Sequence, residues 1–292
     1  MDARKSLHVL NQEWSNCTRC ELGTHRMAVN GEMVFGEGEP RAILFVGEGP
    51  GKNEERQGRP FVGESGGIFR TVLSQFRFDK FYVTNVVACR SCTPMTTADG
   101  SPMFGKSFGK RPPMPLYRDE PPSAVAVSAC LPRLLEEIYL VDPVLIVSLG
   151  AKAAEALTGK AVAITQERGK ERHITIPGAS HRASLTEKKG AWIRKIGGKT
   201  VAPTEPNEVR YLLLPTLHPA YVLRSLSDKR NNSALRQFAS DIRKAVRIYE
   251  QYMVEVFGVT VTTNSNATDE QIEETIDNLR EREEDEDQYG QG

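Results

Sequence analysis

Four short apolar runs constrain the fold of this chain more than any other feature of its sequence. We expect them to be buried strands, at Ala42–Val46, Phe81–Val87, Val144–Leu149 and Tyr211–Leu214. Continuous apolar runs rich in β-branched residues suit a parallel sheet that is covered on both faces. Helical patterns lie between and after these runs, at Ser65–Phe76, Ala124–Leu140, Ala151–Leu157 and Asn232–Tyr252. This order predicts a single α/β domain with a doubly wound, four-stranded parallel sheet flanked by helices.

The charges divide the chain into a basic body and an acidic tail. Its 38 bases and 38 acids balance, yet residues 269–287 contain eleven acids and two bases. Such a segment has too few apolar residues to order itself, so we predict a domain over 1–255 and a disordered tail over 256–292. The tail suits three roles: solubilising the protein, mimicking DNA, or binding a replication or repair partner.

Two stretches interrupt the alternation of strands and helices. Residues 91–123 are rich in Pro, Gly, Met and Lys, and residues 167–207 carry nine bases against two acids between Arg168 and Lys199. We predict that both are long loops inserted into the domain. The charge of the second suits contacts with phosphate groups, and it equally suits a solvated surface loop.

The sequence lacks the features of a membrane or secreted protein. No apolar run approaches the roughly 18 residues that cross a bilayer, and Met1–Trp14 is polar rather than the apolar stretch of a secretory signal. We therefore expect a protein of the cytoplasm of a bacterial, archaeal or phage-infected cell. We also expect it to be a monomer. In that compartment cysteines are more often metal ligands than disulfide partners.

A glycine-rich turn follows the first predicted strand. It reads Gly47-Glu48-Gly49-Pro50-Gly51, and glycines in such a turn let the backbone approach a ligand closely. Taken alone, the turn also fits a tight connection between a strand and a helix. It is not a nucleotide-binding P-loop, because the Gly-Lys-Ser/Thr ending is missing.

Five blocks of sequence together resemble one known family. The opening motif is Val46–Gly51 followed by Gly58–Gly63, and the later blocks are Tyr82–Arg90 and Thr216–Arg224, with Cys17–Leu22 before them all. In this order they are similar to the family 4 uracil-DNA glycosylases, the iron–sulfur branch of that superfamily. The resemblance spans about residues 10 to 245. It implies an enzyme that flips uracil out of DNA and hydrolyses the N-glycosidic bond in base excision repair.

The resemblance also implies which residues hold the base. Gly47 and Gly49 allow the backbone to line the pocket, and Phe61 stacks on the uracil ring. The Asn85 side chain has a donor and an acceptor that match O4 and N3–H of uracil. Cytosine presents the opposite pattern at that edge. Outside this motif context, an aromatic such as Phe61 is more often a core residue and an asparagine at a strand end is more often a cap.

Three further residues are implied in catalysis. His218 donates a hydrogen bond to uracil O2 as negative charge grows there. Glu48 positions the attacking water or stabilises the sugar cation, and we rank it above Glu54. For Glu54 two roles stay open: catalysis, or crowding the base near C5 to exclude thymine. Acids are common in the family at Lys52 and Asn53, so the local electrostatics differ in this chain.

The run after His218 is implied in DNA contact. Tyr221, Val222 and Leu223 are apolar side chains that suit the gap left by the flipped base, and Arg224 suits a phosphate. Each of them also fits the amphipathic first turn of a helix. We name Tyr221 and Arg224 as candidate DNA-binding residues.

The five cysteines allow two ligand sets. By spacing alone, Cys17 and Cys20 with Cys89 and Cys92 predict a four-thiolate zinc site. The family resemblance instead implies a [4Fe–4S] cluster held by Cys17, Cys20, Cys89 and Cys130, with Cys92 as a free or substitute thiol. We predict the second set.

The sequence therefore predicts a monofunctional DNA glycosylase that acts on uracil-containing DNA. Lyase activity is not expected, because no lysine in the motifs is placed to form a Schiff base. One alternative is a DNA-binding or replication-accessory protein that keeps the fold with little or no catalysis. Another is a relative that becomes covalently attached to its uracil site through a basic, His-containing loop. Residues 167–207 contain His173 and His181 but no specific match to such a loop.

Overall fold

The computed structural model describes residues 3–105, 115–177, 208–226 and 232–277. The strands are β1 (Glu37–Gly38), β2 (Ile43–Gly47), β3 (Phe81–Asn85), β4 (Cys92–Pro94), β5 (Tyr117–Asp119), β6 (Leu145–Leu149), β7 (Arg172–Pro177) and β8 (Glu208–Thr216). The helices are α1 (Ala3–Trp14), α2 (Glu21–Ala28), α3 (Lys52–Gln57), α4 (Glu64–Gln75), α5 (Ala124–Val141), α6 (Ala151–Thr158), α7 (Ile164–Glu167), α8 (Pro219–Ser225) and α9 (Ser233–Phe257). No helix in these ranges is long and apolar enough to cross a bilayer.

The central sheet has six strands in the order β1-β3-β2-β6-β8-β7. The four predicted strands form its middle and are parallel to one another, which confirms the predicted α/β class. Short antiparallel strands close both edges, β1 against β3 and β7 against β8. The prediction omitted both edge strands: β1 has only two residues, too few to show a period.

Helices cover both faces of this sheet because the side chains of each strand alternate between them. In β2, Ile43 and Phe45 pack on one side with Phe69 of α4 and Phe238 of α9. Leu44 and Val46 pack on the other side with residues of α1 and α5. Both faces are therefore apolar, and the polar chemistry is left to the ends of the strands.

Part of each predicted insert has regular structure. In the first insert β4 and β5 form an antiparallel hairpin, in which Cys92 lies opposite Asp119. Residues 106–114 of this insert lie outside the described residues. The second insert contributes β7, where Ile174 and Ile176 are buried, a period of two that suits an edge strand. The rest of it, residues 178–207 with His181, also lies outside the described part.

The segment after α9 packs on the domain as far as it is described. Its residues 269–277 are helical, and Ala267, Ile272 and Ile276 are buried in the core on the α4 and α9 side. Asp269 forms an ion pair of 2.6 Å with Arg243 of α9. Two isoleucines one turn apart give this acidic helix an apolar stripe, which its composition conceals. We propose that the domain extends to at least 277 rather than 255; residues 278–292 of the predicted tail lie outside the described residues.

Candidate functional site

A cavity of about 330 Å³ opens at the carboxyl ends of the parallel strands. That volume falls in the range of small-molecule sites, roughly 300–1,000 Å³. Ligand sites of open α/β sheets lie at this edge. The lining includes residues predicted for catalysis, for base binding and for DNA contact, namely Glu48, Gly49, Glu54, Phe61, Asn85, His218 and Arg224. We call this cavity the base pocket.

Gly47 lies behind the pocket wall rather than in its lining. A Cβ at this position would collide with Asn85 Oδ1 and with the Phe61 ring. Gly49 has a similar constraint, because a Cβ there would lie 2.8 Å from Cγ2 of Val87. The glycines of the turn therefore allow the strand end, the aromatic ring and the amide to meet in one small volume.

Phe61 is held in a conformation that a bulky residue rarely adopts. Its φ is 56°, in the left-handed region that is unfavourable for such a side chain. Arg70 Nε donates a hydrogen bond of 3.0 Å to the Phe61 carbonyl, and a Cβ at Gly66 would collide with that same carbonyl. The ring packs on Phe69 with centroids 5.2 Å apart. These contacts fix one face of the ring as a wall of the base pocket.

Asn85 is the last residue of β3, and only 3% of it is exposed. It pairs in register with Gly47 at the end of β2. Its backbone carbonyl accepts a hydrogen bond of 2.6 Å from Arg133 Nη2. The strand end that carries the pocket amide is therefore fixed from behind by a charged group.

His218 caps the N-terminus of α8 with its own ring. Its Nδ1 accepts a hydrogen bond of 3.1 Å from the backbone N–H of Ala220. Burial, assisted by the charge of Arg224, lowers the pKa of His218 to about 4. The ring is therefore neutral near pH 7, and its proton is on Nε2 because Nδ1 is an acceptor.

The two candidate carboxylates have different surroundings. Burial raises the pKa of Glu48, and the charge of Lys152 opposes that rise. Glu54 is 8% exposed, and its Oε1 accepts a hydrogen bond of 2.9 Å from the backbone N–H of Gly63. Its Oε2 would lie 2.9 Å from a Cβ at Gly51. Glu54 therefore links two turns of the pocket wall.

The helix after His218 presents one apolar side chain to solvent. Tyr221 is 48% exposed, whereas Val222 is fully buried and Leu223 packs against the core. The prediction that this whole run fills the gap left by a flipped base is therefore wrong for Val222. Arg224 is exposed and lines the base pocket.

Several residues at the pocket escaped the sequence analysis. Asp119 and Glu120 of the β4–β5 hairpin line it, and Asp119 accepts a hydrogen bond of 2.6 Å from Arg90. Arg70 and Arg133 lie behind it. A charged residue within an apolar helical pattern, as at Arg133, is a sequence signal that could have indicated a functional residue. The contacts of the hairpin have no comparable signal in the sequence.

Four cysteines line a second, smaller cavity, together with Val87 just after β3. They are Cys17, Cys20, Cys89 and Cys130, and we call this space the cysteine cavity. Cys92 lies elsewhere, with its Sγ 3.3 Å from Nε2 of His25.

The thiols of the cysteine cavity lie near a buried cation. Burial raises the pKa of the Cys89 thiol to about 11, and Arg26 opposes this rise. Arg26 is itself buried, and its Nε has no hydrogen-bond partner within the described residues. No three His, Cys, Asp or Glu side chains in the described ranges are gathered so that they could hold a metal ion.

The sequence of this chain is similar to those of one known family. The family model of the uracil DNA glycosylase superfamily matches residues 35–243. A type-4 uracil-DNA glycosylase of Thermotoga maritima is 31% identical over 243 residues, which are 82% of this chain and 92% of that protein. Another of Pyrobaculum aerophilum is 32% identical over 65% of this chain and 85% of its own length. This chain therefore belongs to the type-4 uracil-DNA glycosylases of the uracil DNA glycosylase superfamily.

Proposed function

We propose that this chain removes uracil from DNA, flipping the base into the base pocket and hydrolysing its N-glycosidic bond. The observation that carries the proposal is the meeting of Glu48, Phe61, Asn85 and His218 around one cavity. A stacking ring, an edge-reading amide, a neutral imidazole and a partly desolvated carboxylate are the parts that this hydrolysis needs. The product is free uracil and an abasic site, the starting point of base excision repair.

Base selection rests on Phe61 and Asn85. A flipped base stacks on the fixed Phe61 ring, which contributes affinity without distinguishing pyrimidines. The Asn85 amide donates to O4 and accepts from N3–H of uracil. Cytosine would place a donor against a donor and leave the buried amide unsatisfied. A site built around such polar pairing rejects a wrong partner far more strongly than an apolar site does.

Stabilisation of the leaving group rests on His218. Cleavage leaves negative charge on the uracil ring and positive charge on the sugar. Because Nδ1 accepts from Ala220, the Nε2–H is available as a donor to uracil O2. A donor that is aimed at developing charge before the reaction needs no reorganisation when the bond breaks.

Delivery of water rests on Glu48. Its carboxylate accepts a hydrogen bond from the water that attacks the sugar, and its negative charge favours the sugar cation. A raised pKa makes Glu48 a better proton acceptor than an ordinary glutamate. The nearby charge of Lys152 favours the ionised form. Glu54 takes a different part in this proposal: it shapes the pocket wall through Gly63.

The DNA strand on either side of the flipped base contacts α8. Arg224 at the pocket mouth suits a phosphate next to the uracil, a contact that orients the strand without reading its sequence. The exposed ring of Tyr221 suits the gap that the base leaves in the stack. Both roles are compatible with a glycosylase that tolerates any neighbouring sequence.

We further infer that Cys17, Cys20, Cys89 and Cys130 hold a [4Fe–4S] cluster. Their shared cavity and the buried guanidinium of Arg26 support this ligand set over one containing Cys92. When bound, the cluster supplies a structural cross-link, since hydrolysis requires no electron transfer. The four cysteines then tie the N-terminal arm and α5 to the chain just after β3.

The test is strand cleavage at a single uracil. The purified protein is incubated with an oligonucleotide that contains one uracil, and alkali then breaks the strand at abasic sites. A specific inhibitor blocks any contaminating glycosylase. We expect cleavage by the wild type and by Asn53→Ala, an exposed asparagine on α3 that serves as the matched control. Asn85→Ala should lose most of the activity.

The alternatives give different results in the same assay. Without cleavage by the wild type, and with DNA still bound, the accessory-protein interpretation replaces this proposal. A protein–DNA band that survives a denaturing gel would instead indicate covalent attachment.

A further inference from the structure

A buried charged pair on α5 lies next to Asn85 of the base pocket and to Cys130 of the cysteine cavity. Arg133 and Glu137 are one turn apart on α5 and are 1% and 0% exposed, with 2.7 Å between Nη1 and Oε2. Removing two charges from water costs several kcal/mol per ion, and such pairs are often no more stabilising than apolar residues. A contribution to folding stability is therefore a weak explanation for the presence of this pair.

The contacts of the pair converge on the end of β3. Arg133 Nη2 donates to the carbonyl of Asn85 at 2.6 Å and to that of Val86 at 3.1 Å. Glu137 accepts from Tyr82 Oη at 3.0 Å and from Thr84 Oγ1 at 2.8 Å. The planar guanidinium can hold two carbonyls and a carboxylate at once, which a lysine ammonium does with far less geometric definition.

The same helix also reaches the cysteine cavity. Cys130 lies three residues before Arg133, so both face the same side of α5, and its thiol is an electrostatic partner of the Arg133 guanidinium. Arg133 Nε is buried with no hydrogen-bond partner within the described residues. One helix therefore carries a proposed cluster ligand and the group that holds the pocket asparagine.

We propose that Arg133 is a positioning residue for base recognition: it fixes the backbone of Asn85 from α5 so that the amide faces the uracil edge. The proposal rests on the proposed function of the base pocket. Arg133 touches no substrate and acts only through Asn85. As α5 also carries Cys130, the orientation of the amide depends on how the cysteine cavity holds this helix.

The decisive variant is Arg133→Lys, which keeps a charge for Glu137 but loses the two-carbonyl contact. We expect kcat on uracil-containing DNA to fall between about 10- and 100-fold, the scale of a small misplacement of a reacting group. KM should change little, since the proposed phosphate and stack contacts on α8 are untouched. The double variant Arg133→Met/Glu137→Met removes the contact without leaving a buried charge unpaired, and it should show the same loss of kcat if the fold is kept.

A double-mutant cycle separates positioning from general destabilisation. In an Asn85→Ala background, Arg133→Lys should cost no further activity, because the side chain that it positions is gone. The matched control is Arg168→Lys, since Arg168 holds Asp241 of α9 with contacts of 3.0 and 2.8 Å, away from β3. Its effect should multiply with that of Asn85→Ala. The proposal is overturned if the effect of Arg133→Lys also multiplies with that of Asn85→Ala. It is equally overturned if Arg133→Lys alone leaves kcat unchanged.

A measurement without catalysis keeps this test apart from the proposed function. In protein labelled with ¹⁵N at asparagine, the Asn85 side-chain amide is assigned by its absence in Asn85→Ala. We expect Arg133→Lys to shift this signal while the exposed Asn53 of α3 keeps its own. A wild type that cleaves nothing would sink the proposed function only. An unmoved Asn85 signal in Arg133→Lys would sink the positioning role even in an active enzyme.

Discussion

The base pocket and the cysteine cavity flank the end of the same strand but are built in opposite ways. The base pocket is open, and backbone contacts fix its functional groups, as those of Arg70 do for Phe61 and that of Ala220 does for His218. The cysteine cavity is narrow and collects four thiols beside a buried guanidinium nitrogen without a hydrogen-bond partner in the described part of the chain. The first holds its functional groups with hydrogen bonds of its own, whereas the second leaves a buried nitrogen of Arg26 without such a partner among the described residues.

This difference separates what substitutions should do. Changes in a preformed pocket should lower the reaction rate and leave the fold and any metal signal unchanged. With the proposed cluster in the cysteine cavity, changes there should remove the metal signal and destabilise the protein, because a ligand that binds only the folded state adds to its stability. Arg133 is the exception, since it lies between the two regions.

The largest expected effect is in the cysteine cavity. Cys130→Ser should abolish the iron–sulfur absorbance at about 400 nm and lower the melting temperature, because serine replaces a thiolate ligand. Cys92→Ser is the matched control and should keep both, since Cys92 lies against His25 instead. Visible spectra and thermal melts of the two purified variants decide the matter. The opposite pattern would exchange Cys130 for Cys92 in the ligand set.

The next effect is in the base pocket. His218→Ala should lower the single-turnover rate by about 10²–10³-fold, the usual cost of losing one donor to a developing negative charge. His218→Asn is the informative partner, because asparagine also caps a helix and so keeps α8 in place. Both variants should retain the cluster absorbance. A His218→Asn enzyme with nearly full activity would reduce the role of His218 to capping.

The pH profile distinguishes the two titratable groups of the pocket. Because its pKa is raised, Glu48 takes up a proton at a higher pH than an ordinary glutamate, and the rate should fall as pH drops through that value. His218, with a pKa of about 4, should remain neutral throughout that decline. Glu48→Gln should lower the rate by about 10²-fold and remove the acid limb. This assignment would be contradicted by a fall in rate centred near pH 6.5, the ordinary pKa of histidine, if that fall disappeared in His218→Asn.

The sequence predicted the central sheet because that information is local. Each parallel strand is a continuous apolar run, and the carboxyl ends of parallel strands share one edge. The motif resemblance implied that Glu48, Asn85 and His218 act at one site, and the structure brings these residues from the ends of three separate strands together. Their chemical roles remain proposals. The motif resemblance, rather than periodicity, singled out Phe61 among the many aromatic residues.

The parts that the sequence did not predict depend on contacts between distant segments. Arg133 and the Asn85 carbonyl are 48 positions apart, and nothing in the helical pattern of α5 names that partner. The isoleucines at 272 and 276 are outnumbered by acids, so composition placed them in a tail although packing buries them. Edge strand β7 lies in a basic stretch, where charge concealed its alternation.

The smallest expected effect sharpens the contrast between the two pocket carboxylates. Glu54→Gln keeps a side-chain oxygen for the N–H of Gly63, so the reaction rate of this variant should stay within about threefold of the wild type. Glu54→Ala loses a buried hydrogen bond and should lower the free energy of unfolding by about 1 kcal/mol. Single-turnover rates and denaturant unfolding of both variants measure this. If Glu54→Gln lost as much rate as Glu48→Gln, charge rather than hydrogen bonding would be the property that matters at Glu54. Catalysis would then need two ionised carboxylates, and Glu54 would join Glu48 in it instead of shaping the pocket wall.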